Sequence, residues 1–143
     1  MAKQNTYYTI KQLERMAYDM RQDLITMLEE AGSGHSAGPL GLAEFFTAMY
    51  FRILNHDPKK PQWNKRDRLC MSCGHVVPIR YTAMIHAGYA PKKSLHTLRK
   101  FGSKLQGHPG YIDWPAVEHS SGPLGQGLSV AAGMAYSARM KKE

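Results

Sequence analysis

The sequence predicts an α/β domain with one core. Several segments repeat apolar residues with the 3.6-residue period of a helix, and one short apolar run at 68–72, closed by Gly74, could be a buried strand. The chain has 143 residues, of which 43% are hydrophobic and 21% charged, as in ordinary globular domains. No run is long enough to cross a membrane, and the first residues lack the apolar stretch of a secretory signal. We expect a cytoplasmic protein without a membrane partner.

The first predicted helix runs from about residue 10 to residue 30. Thr9 can cap its first turn, and Gly32 and Gly34 can end it. The apolar face that it presents to the core comprises Ile10, Leu13, Met16, Ala17, Met20, Leu24, Met27 and Leu28. We expect further helices at about 41–54, 76–87, 94–101 and 128–142. The segment 55–65 is expected to be a solvated connection and 102–118 a loop.

Four glycine-rich loops carry the most informative chemistry of the chain. Three pair a glycine with a histidine, at Gly34-His35, Gly74-His75 and Gly107-His108, and the fourth reads Gly-Pro-Leu-Gly-Gln-Gly at 122–127. Histidine exchanges protons near neutral pH, and backbone N–H groups that lead into a helix can bind an anion. Each loop alone could be an ordinary surface turn. Together they predict one polar pocket that handles protons and an anion.

The apolar run at 68–72 supports a functional role for His75. If it is a strand, it delivers Cys73, Gly74 and His75 at its carboxyl end, where open α/β sheets bind their ligands. Cys70, Cys73 and His75 also permit a zinc or redox interpretation, which we weigh lower. Zinc needs four ligands, and the other histidines do not show a matching spacing. Two cysteines do not indicate a disulfide scaffold.

The formal net charge of +8 indicates anionic ligands. The positive residues are scattered, and the sequence contains no stripe of basic and aromatic residues and no nucleic-acid-binding motif. Phosphorylated substrates or a diphosphate cofactor therefore fit better than a nucleic-acid partner.

The motifs resemble those of the transketolase family, in order and spacing, from about residue 10 to the end. Residues 33–41 resemble the first signature, S-G-H-P-G, and residues 64–75 are similar to D-R-D-R-F-V-L-S-x-G-H. Residues 105–109 resemble the family's G-H-P loop, and 121–127 its T-G-P-L-G-Q-G loop. The residues at 97–100 and 105–109 look most like the corresponding sequence in the N-terminal subunit of split transketolases. Ser36 and Ala37 depart from the usual Pro-Gly, as do Cys73 and Val76 from the residues common there.

The resemblance implies the thiamine-diphosphate-binding fold, a doubly wound parallel sheet, of which residues 1–143 would be the helix-rich N-terminal portion. It implies transfer of a two-carbon ketol unit between sugar phosphates with thiamine diphosphate and Mg²⁺. The family's metal-binding segment is expected beyond residue 143, so the chain itself would contribute no metal ligand and would be inactive alone. A C-terminal transketolase subunit or domain is the expected partner, in a homo- or hetero-oligomer.

The same resemblance implies roles for six residues. His35 and His108 would act on the substrate as catalytic residues. His75, Gly122, Pro123 and Leu124 would bind the cofactor. The remaining histidines, His56, His86, His96 and His119, match no site position and are expected to be structural.

Three other interpretations remain at this point. The chain could belong to 1-deoxyxylulose-5-phosphate synthase or dihydroxyacetone synthase, which use the same cofactor. It could be a non-catalytic assembly or regulatory subunit, although a scaffold does not need three loop histidines. A basic nucleic-acid binder comes third, and steep salt dependence would be its signature.

Overall fold

The computed structural model describes residues 8–142, and that part of the chain is built from helices and turns. The helices are α1 (Ile10–Ala31), α2 (Ala37–Gly41), α3 (Ala43–Ala48), α4 (Val77–His86) and α5 (Gln126–Lys141). A π-helical turn, Met49–Ile53, continues α3, and 3₁₀ turns lie at Gly74–Val76, Lys92–Thr97 and Pro115–Val117. None of the described helices combines the length and apolar character that crossing a bilayer requires.

Helix α1 begins where the sequence predicts. The Thr9 hydroxyl accepts a hydrogen bond from the Gln12 amide, and the Gln12 side chain accepts one from the Thr9 amide at 2.8 Å. Gly32, with φ of +63°, ends the helix in a left-handed conformation. Its buried face comprises Ala17, Met20, Leu24 and Met27. The predicted face is wrong at its start, because Ile10 in the first turn is 66% exposed.

Helix α4 forms the centre of the core. Every residue from Val77 to Ile85 is buried, and α1, α2, α3 and the 92–97 turn pack around it. Arg80 is only 1% exposed. Its guanidinium donates to the Tyr50 hydroxyl at 3.0 Å and to the Val117 carbonyl at 3.5 Å, which satisfies the buried charge in part.

The strand predicted at 68–72 is wrong. A strand needs a neighbour with which to share its backbone hydrogen bonds, and no segment within residues 8–142 pairs with this run. The segment is irregular backbone between the core and α5. Met71 is buried in the core, and the Ser72 hydroxyl accepts a hydrogen bond from the Gly127 amide at 3.1 Å.

The helices predicted at 76–87 and 128–142 are confirmed with shifted ends, as α4 and α5. The helix predicted at 41–54 is confirmed as α3 and the π-helical turn that continues it to Ile53, with a later start, because the backbone leaves helical geometry at Leu42 (φ −107°, ψ 9°). The short helix α2 before it was not predicted. The helix predicted at 94–101 is wrong. There, 3₁₀ geometry ends at Thr97, and Arg99 adopts φ of +60°, which no right-handed helix accommodates.

The connection at 55–65 is partly exposed, but it is a closed loop. Its first residue, Asn55, exchanges hydrogen bonds with Asp67: each donates its backbone amide, one to a carboxylate and the other to a carbonyl. Just beyond it, Arg66 and Glu118 form a two-point ion pair whose side chains are 8% and 7% exposed. This pair ties the connection to the segment that leads into the glycine-rich loop at 122–127.

Candidate functional site

The structure brings the four glycine-rich loops together on one side of the molecule. We number them as the first loop (33–36), the second (73–75), the third (107–109) and the fourth (121–127), and call their joint surface the four-loop face. The first follows α1, the second opens the 3₁₀ turn before α4, and the fourth leads into α5. Helical elements thus set one end of three of the four loops.

The second loop lies directly on the fourth. A Cβ added to Gly74 would be 2.6 Å from the Ser121 carbonyl oxygen and 2.8 Å from its carbonyl carbon, closer than real Cβ atoms come. Glycine is therefore required at position 74 for the two backbones to meet. The next residue, His75, is half-buried at this junction.

The first and second loops meet through their histidines. The rings of His35 and His75 lie 5.0 Å apart between centroids and are tilted by 60°. Behind them, Gly38 at the start of α2 packs closely on the Val76 side chain. His35 itself is exposed, so its ring is open to solvent.

The third loop borders the fourth on the other side. The Ser121 amide donates to the Pro109 carbonyl at 3.1 Å, and the His108 ring lies beside Gly122, with Cδ2 4.0 Å from the position of a Cβ there. His108, like His35, is exposed. The pocket expected from the sequence is, in residues 8–142, an open face.

The fourth loop ends at an uncapped helix. Gly125 occupies the N-cap of α5 with φ of +88°, and it has no side chain that could cap the first amides. The Gly127 amide is satisfied by Ser72. Pro123 and Leu124 are exposed at the tip, Leu124 by 70%. A helix start without an N-cap side chain, next to an exposed apolar residue, suits a ligand with an anionic part and an apolar part.

The cysteines do not support the zinc or redox interpretation. In the part of the chain that the structure describes, no three His, Cys, Asp or Glu side chains are grouped to hold a metal. Both thiols are free, and the Cys70 sulfur lies 3.5 Å from the Met134 sulfur. Burial raises the pKa of the Cys70 thiol, which disfavours the thiolate that ligation and redox chemistry need.

The remaining histidines have hydrogen-bond partners away from the four-loop face or beside its edge. His56 Nε2 donates to the Tyr50 carbonyl at 2.6 Å, and its Nδ1 is 3.0 Å from the Tyr89 hydroxyl. His86 pairs with Asp23 at 2.6 Å and His96 with Glu30 at 2.7 Å. His119 donates from Nδ1 to the Ser120 carbonyl at 2.7 Å.

Sequence reasoning missed two residues of this region. Ser72 supports the start of α5 through the Gly127 amide, and the guanidinium of Arg99 lies between Gly34 and Gly107. The contacts span 55 residues in the first case, so a local pattern carries no signal for them. Arg99 lies in the stretch 97–100 that resembles split transketolases, but the sequence motifs assign it no role.

The proteins to which this chain is similar are transketolases, in agreement with the resemblance of the four loops. Residues 13–143 match the family described as the transketolase thiamine diphosphate binding domain. The chain is 40% identical over 133 residues to a transketolase of Treponema pallidum, covering 92% of this chain and 20% of that protein. It is also 40% identical over 133 residues to one subunit of the apulose-4-phosphate transketolase of Phocaeicola vulgatus, covering 93% of this chain and 47% of that subunit.

Solved structures show the same fold. The transketolase of Campylobacter jejuni superposes with a TM-score of 0.84 at 37% identity, over 92% of this chain and 21% of that one. The transketolase of Leishmania mexicana gives 0.82 at 33% identity, over 86% and 18%. The chain therefore spans about a fifth of the full-length transketolases and about half of the subunit that it matches. It has the helix-rich N-terminal portion of the thiamine-diphosphate-binding fold and belongs to the transketolase family, in the thiamine diphosphate binding domain.

Proposed function

We propose that this chain supplies part of the cofactor and substrate site of a transketolase-type enzyme, which transfers a two-carbon ketol unit between sugar phosphates. The packing of Gly74 on the Ser121–Gly122 peptide carries this proposal. That contact joins His75 to the loop at the start of α5, and His35 and His108 flank it on either side. Anion-binding backbone and proton-exchanging side chains are thereby combined on one face.

The four-loop face fits thiamine diphosphate. Gly122, Pro123 and Leu124 would hold the cofactor through the fourth loop, with the N-terminus of α5 near its charge and His75 beside it. When bound, thiamine diphosphate supplies the carbon nucleophile and the electron sink for cleaving and forming the carbon–carbon bond. The protein's share is to orient the reactants and to move protons.

His35 and His108 are the proposed catalytic residues. Both rings are exposed on the four-loop face, where they can contact substrate hydroxyl and carbonyl oxygens. A neutral imidazole accepts a proton at one ring nitrogen and donates one at the other, so either residue can hold or pass the proton of a substrate hydroxyl.

We further propose that residues 1–143 are the N-terminal part of a diphosphate-binding (PP-type) domain, and that Mg²⁺ is held by residues outside them. A C-terminal transketolase subunit or domain would be the partner in a cytoplasmic homo- or hetero-oligomer. The exposed apolar residues of α5, Leu128, Tyr136 and Met140, support a covering partner. The relative from Phocaeicola vulgatus, which is one subunit of its enzyme, supports a divided enzyme.

The proposal is tested on the assembled enzyme, isolated from its source through a tag on this chain. Ketol transfer between sugar phosphates should require added thiamine diphosphate and Mg²⁺. His35→Ala and His108→Ala should each lower kcat by roughly 10²- to 10⁴-fold. His96→Ala is the matched control, because His96 is an exposed histidine that pairs with Glu30 away from the four-loop face. Wild-type turnover in both variants would instead support the scaffold interpretation.

A further inference from the structure

Arg99 closes the ring of loops on the four-loop face. The first loop contacts the second, the second contacts the fourth, and the fourth contacts the third. In the part of the chain that the structure describes, no hydrogen bond joins the first loop to the third. We propose that Arg99 is the positioning residue that joins them, fixing His35 relative to His108. This inference rests on the proposed function for its catalytic meaning.

The guanidinium of Arg99 lies close to Gly107 and, at a longer distance, near Gly34. A Cβ added to Gly107 would be 3.0 Å from Cζ and from Nε of Arg99. One added to Gly34 would be 3.6 Å from Nη1 of Arg99 and 2.5 Å from Cδ2 of Leu28. The residues after these glycines are the two proposed catalytic histidines. A planar guanidinium thus occupies the space between the peptides that carry His35 and His108.

The backbone of Arg99 is held in a conformation that arginine disfavours. Its φ is +60°, and its amide donates to the Leu105 carbonyl at 2.7 Å. The Ser103 side chain fixes the turn between them: its oxygen lies 2.7 Å from the Thr97 hydroxyl and accepts from the Leu105 amide at 3.0 Å. Glycine would fit this backbone with less strain. Arginine at this strained position therefore indicates that its side chain has a role that glycine could not fill.

The guanidinium of Arg99 also lacks the ion-pair and hydrogen-bond partners that other arginines of the chain have. Arg66 is paired with Glu118, Arg21 with Glu44, and Arg80 donates to Tyr50. Within residues 8–142, the Arg99 side chain makes no hydrogen bond or ion pair, and the residue is exposed. Its guanidinium lies beside Gly107 and near Gly34, in the two glycine-flanked loops. Misplacing a reacting group by about 1 Å can reduce a rate about 10²-fold, so a residue that sets the separation of two histidines matters for turnover.

The first test is Arg99→Gly in the assembled enzyme. Because glycine relieves the backbone strain, the melting temperature should stay equal or rise, whereas kcat should fall roughly 10- to 100-fold with a smaller change in the KM for cofactor. Millimolar guanidinium chloride should restore part of kcat, and Arg99→Lys should recover less than wild type, since an ammonium is not planar. Lys100→Gln, which removes a neighbouring exposed charge, should leave kcat unchanged. Wild-type kcat in Arg99→Gly would overturn the proposal.

The second test is a double-mutant cycle with Gly107. This glycine does not have a positive φ, and the three atoms nearest to an added Cβ all belong to the Arg99 guanidinium, at 3.0 to 3.2 Å. Gly107→Ala should lower kcat in the presence of Arg99 and add little to Arg99→Gly, which leaves room for the methyl group. Fully additive losses would show that the two residues act independently and would overturn the proposal.

A third measurement separates this inference from the proposed function. If the wild-type complex performs no ketol transfer, the proposed function fails, yet Arg99 can still be assessed by hydrogen exchange. Arg99→Gly should speed amide exchange in segments 33–36 and 107–109 together, and leave α4 protected. Unchanged exchange in both segments would overturn the positioning role, whatever the activity.

Discussion

Helices α4 and α5 contrast sharply, although both are rich in small and apolar residues. In α4, every residue from Val77 to Ile85 is buried among other helices. In α5, Gly127 is the buried residue, whereas Leu128, Tyr136 and Met140 are between 67% and 76% exposed. An apolar sequence thus becomes core only where neighbouring elements cover it. The described part of the chain completes the core around α4, whereas beyond Gly127 it only half-buries one face of α5, at Val130, Ala131, Met134 and Ala138.

The four-loop face lies at the boundary between these two regions. Its second loop leads into the buried α4, and its fourth loop leads into the exposed α5. The two are joined by the close approach of Gly74 to Ser121 and by the hydrogen bond from the Gly127 amide to Ser72. The geometry of the site therefore depends on a rigid side and on a lightly attached one.

The largest effect is expected from breaking the buried ion pair of Arg66 with Glu118, which ties the 55–65 connection to the segment that leads into the fourth loop. Glu118→Ala leaves the Arg66 guanidinium buried without its carboxylate, which should lower the free energy of unfolding by about 4 kcal/mol. Urea unfolding of the purified protein measures it. The double variant Arg66→Met with Glu118→Leu is the control, since replacing both charges by apolar groups should restore most of the loss. A loss below about 1 kcal/mol in Glu118→Ala would show that the pair is effectively solvated.

The same substitution in the two regions should have very different effects. Leu24 on α1 is fully buried, so Leu24→Ala should lower the free energy of unfolding by about 3 kcal/mol. Leu128→Ala on α5 should change it by less than about 0.5 kcal/mol in the purified chain. In the assembled enzyme, Leu128→Ala should become destabilising if a partner covers α5. Equal losses from both substitutions in the purified chain would contradict the contrast.

The contrast was only partly predictable from sequence. The boundaries of α1, α4 and α5 follow from periodicity and from local signals such as Thr9 and Gly32, because helices are organised by neighbours three and four residues away. The 68–72 run misled because a short apolar run does not reveal whether a second strand pairs with it. Met71 is buried in the core, whereas Leu69, Cys70 and Ser72 are half-buried and Arg68 is exposed.

The site was predictable as motifs but not as geometry. Each glycine-histidine loop carries its own signal, and the resemblance placed all four in one family. That the loops touch depends on Gly74 meeting Ser121 and on Arg99 reaching Gly34, over sequence separations that a local pattern does not encode. The ion pair of Arg66 with Glu118 has no local signal either, because the two residues are 52 positions apart.

Alanine at two glycines should move stability in opposite directions. Gly74→Ala places a Cβ 2.6 Å from the Ser121 oxygen, so the second and fourth loops must separate, at about 2 kcal/mol of unfolding free energy. Cofactor affinity of the assembled enzyme should fall with it. Gly133→Ala, inside α5 with no atom within 4 Å of the new Cβ, should stabilise by up to about 1 kcal/mol. If Gly74→Ala leaves the free energy of unfolding unchanged, the two loops separate without cost. Calorimetric titration of the assembled enzyme with thiamine diphosphate would then show whether cofactor affinity is also unchanged.

The smallest effect is an alkaline loss of stability that belongs to the buried region. Burial raises the pKa of Tyr81 well above its usual range, and its hydroxyl does not form a well-aligned hydrogen bond in residues 8–142, although the nearby Gln106 amide lowers that pKa slightly. The folded state therefore holds the phenol proton that the unfolded state releases. Stability is complete below the ordinary tyrosine pKa of about 10 and falls as the pH rises beyond it, by at most about 1.4 kcal/mol per pH unit.

Tyr81→Phe should flatten this fall between about pH 9.5 and 10.5 in urea unfolding series, while Tyr136→Phe on the exposed face of α5 should not. Equal slopes in wild type and Tyr81→Phe would show that the phenol titrates alike in the folded and unfolded chains, and that this part of the core is open to water.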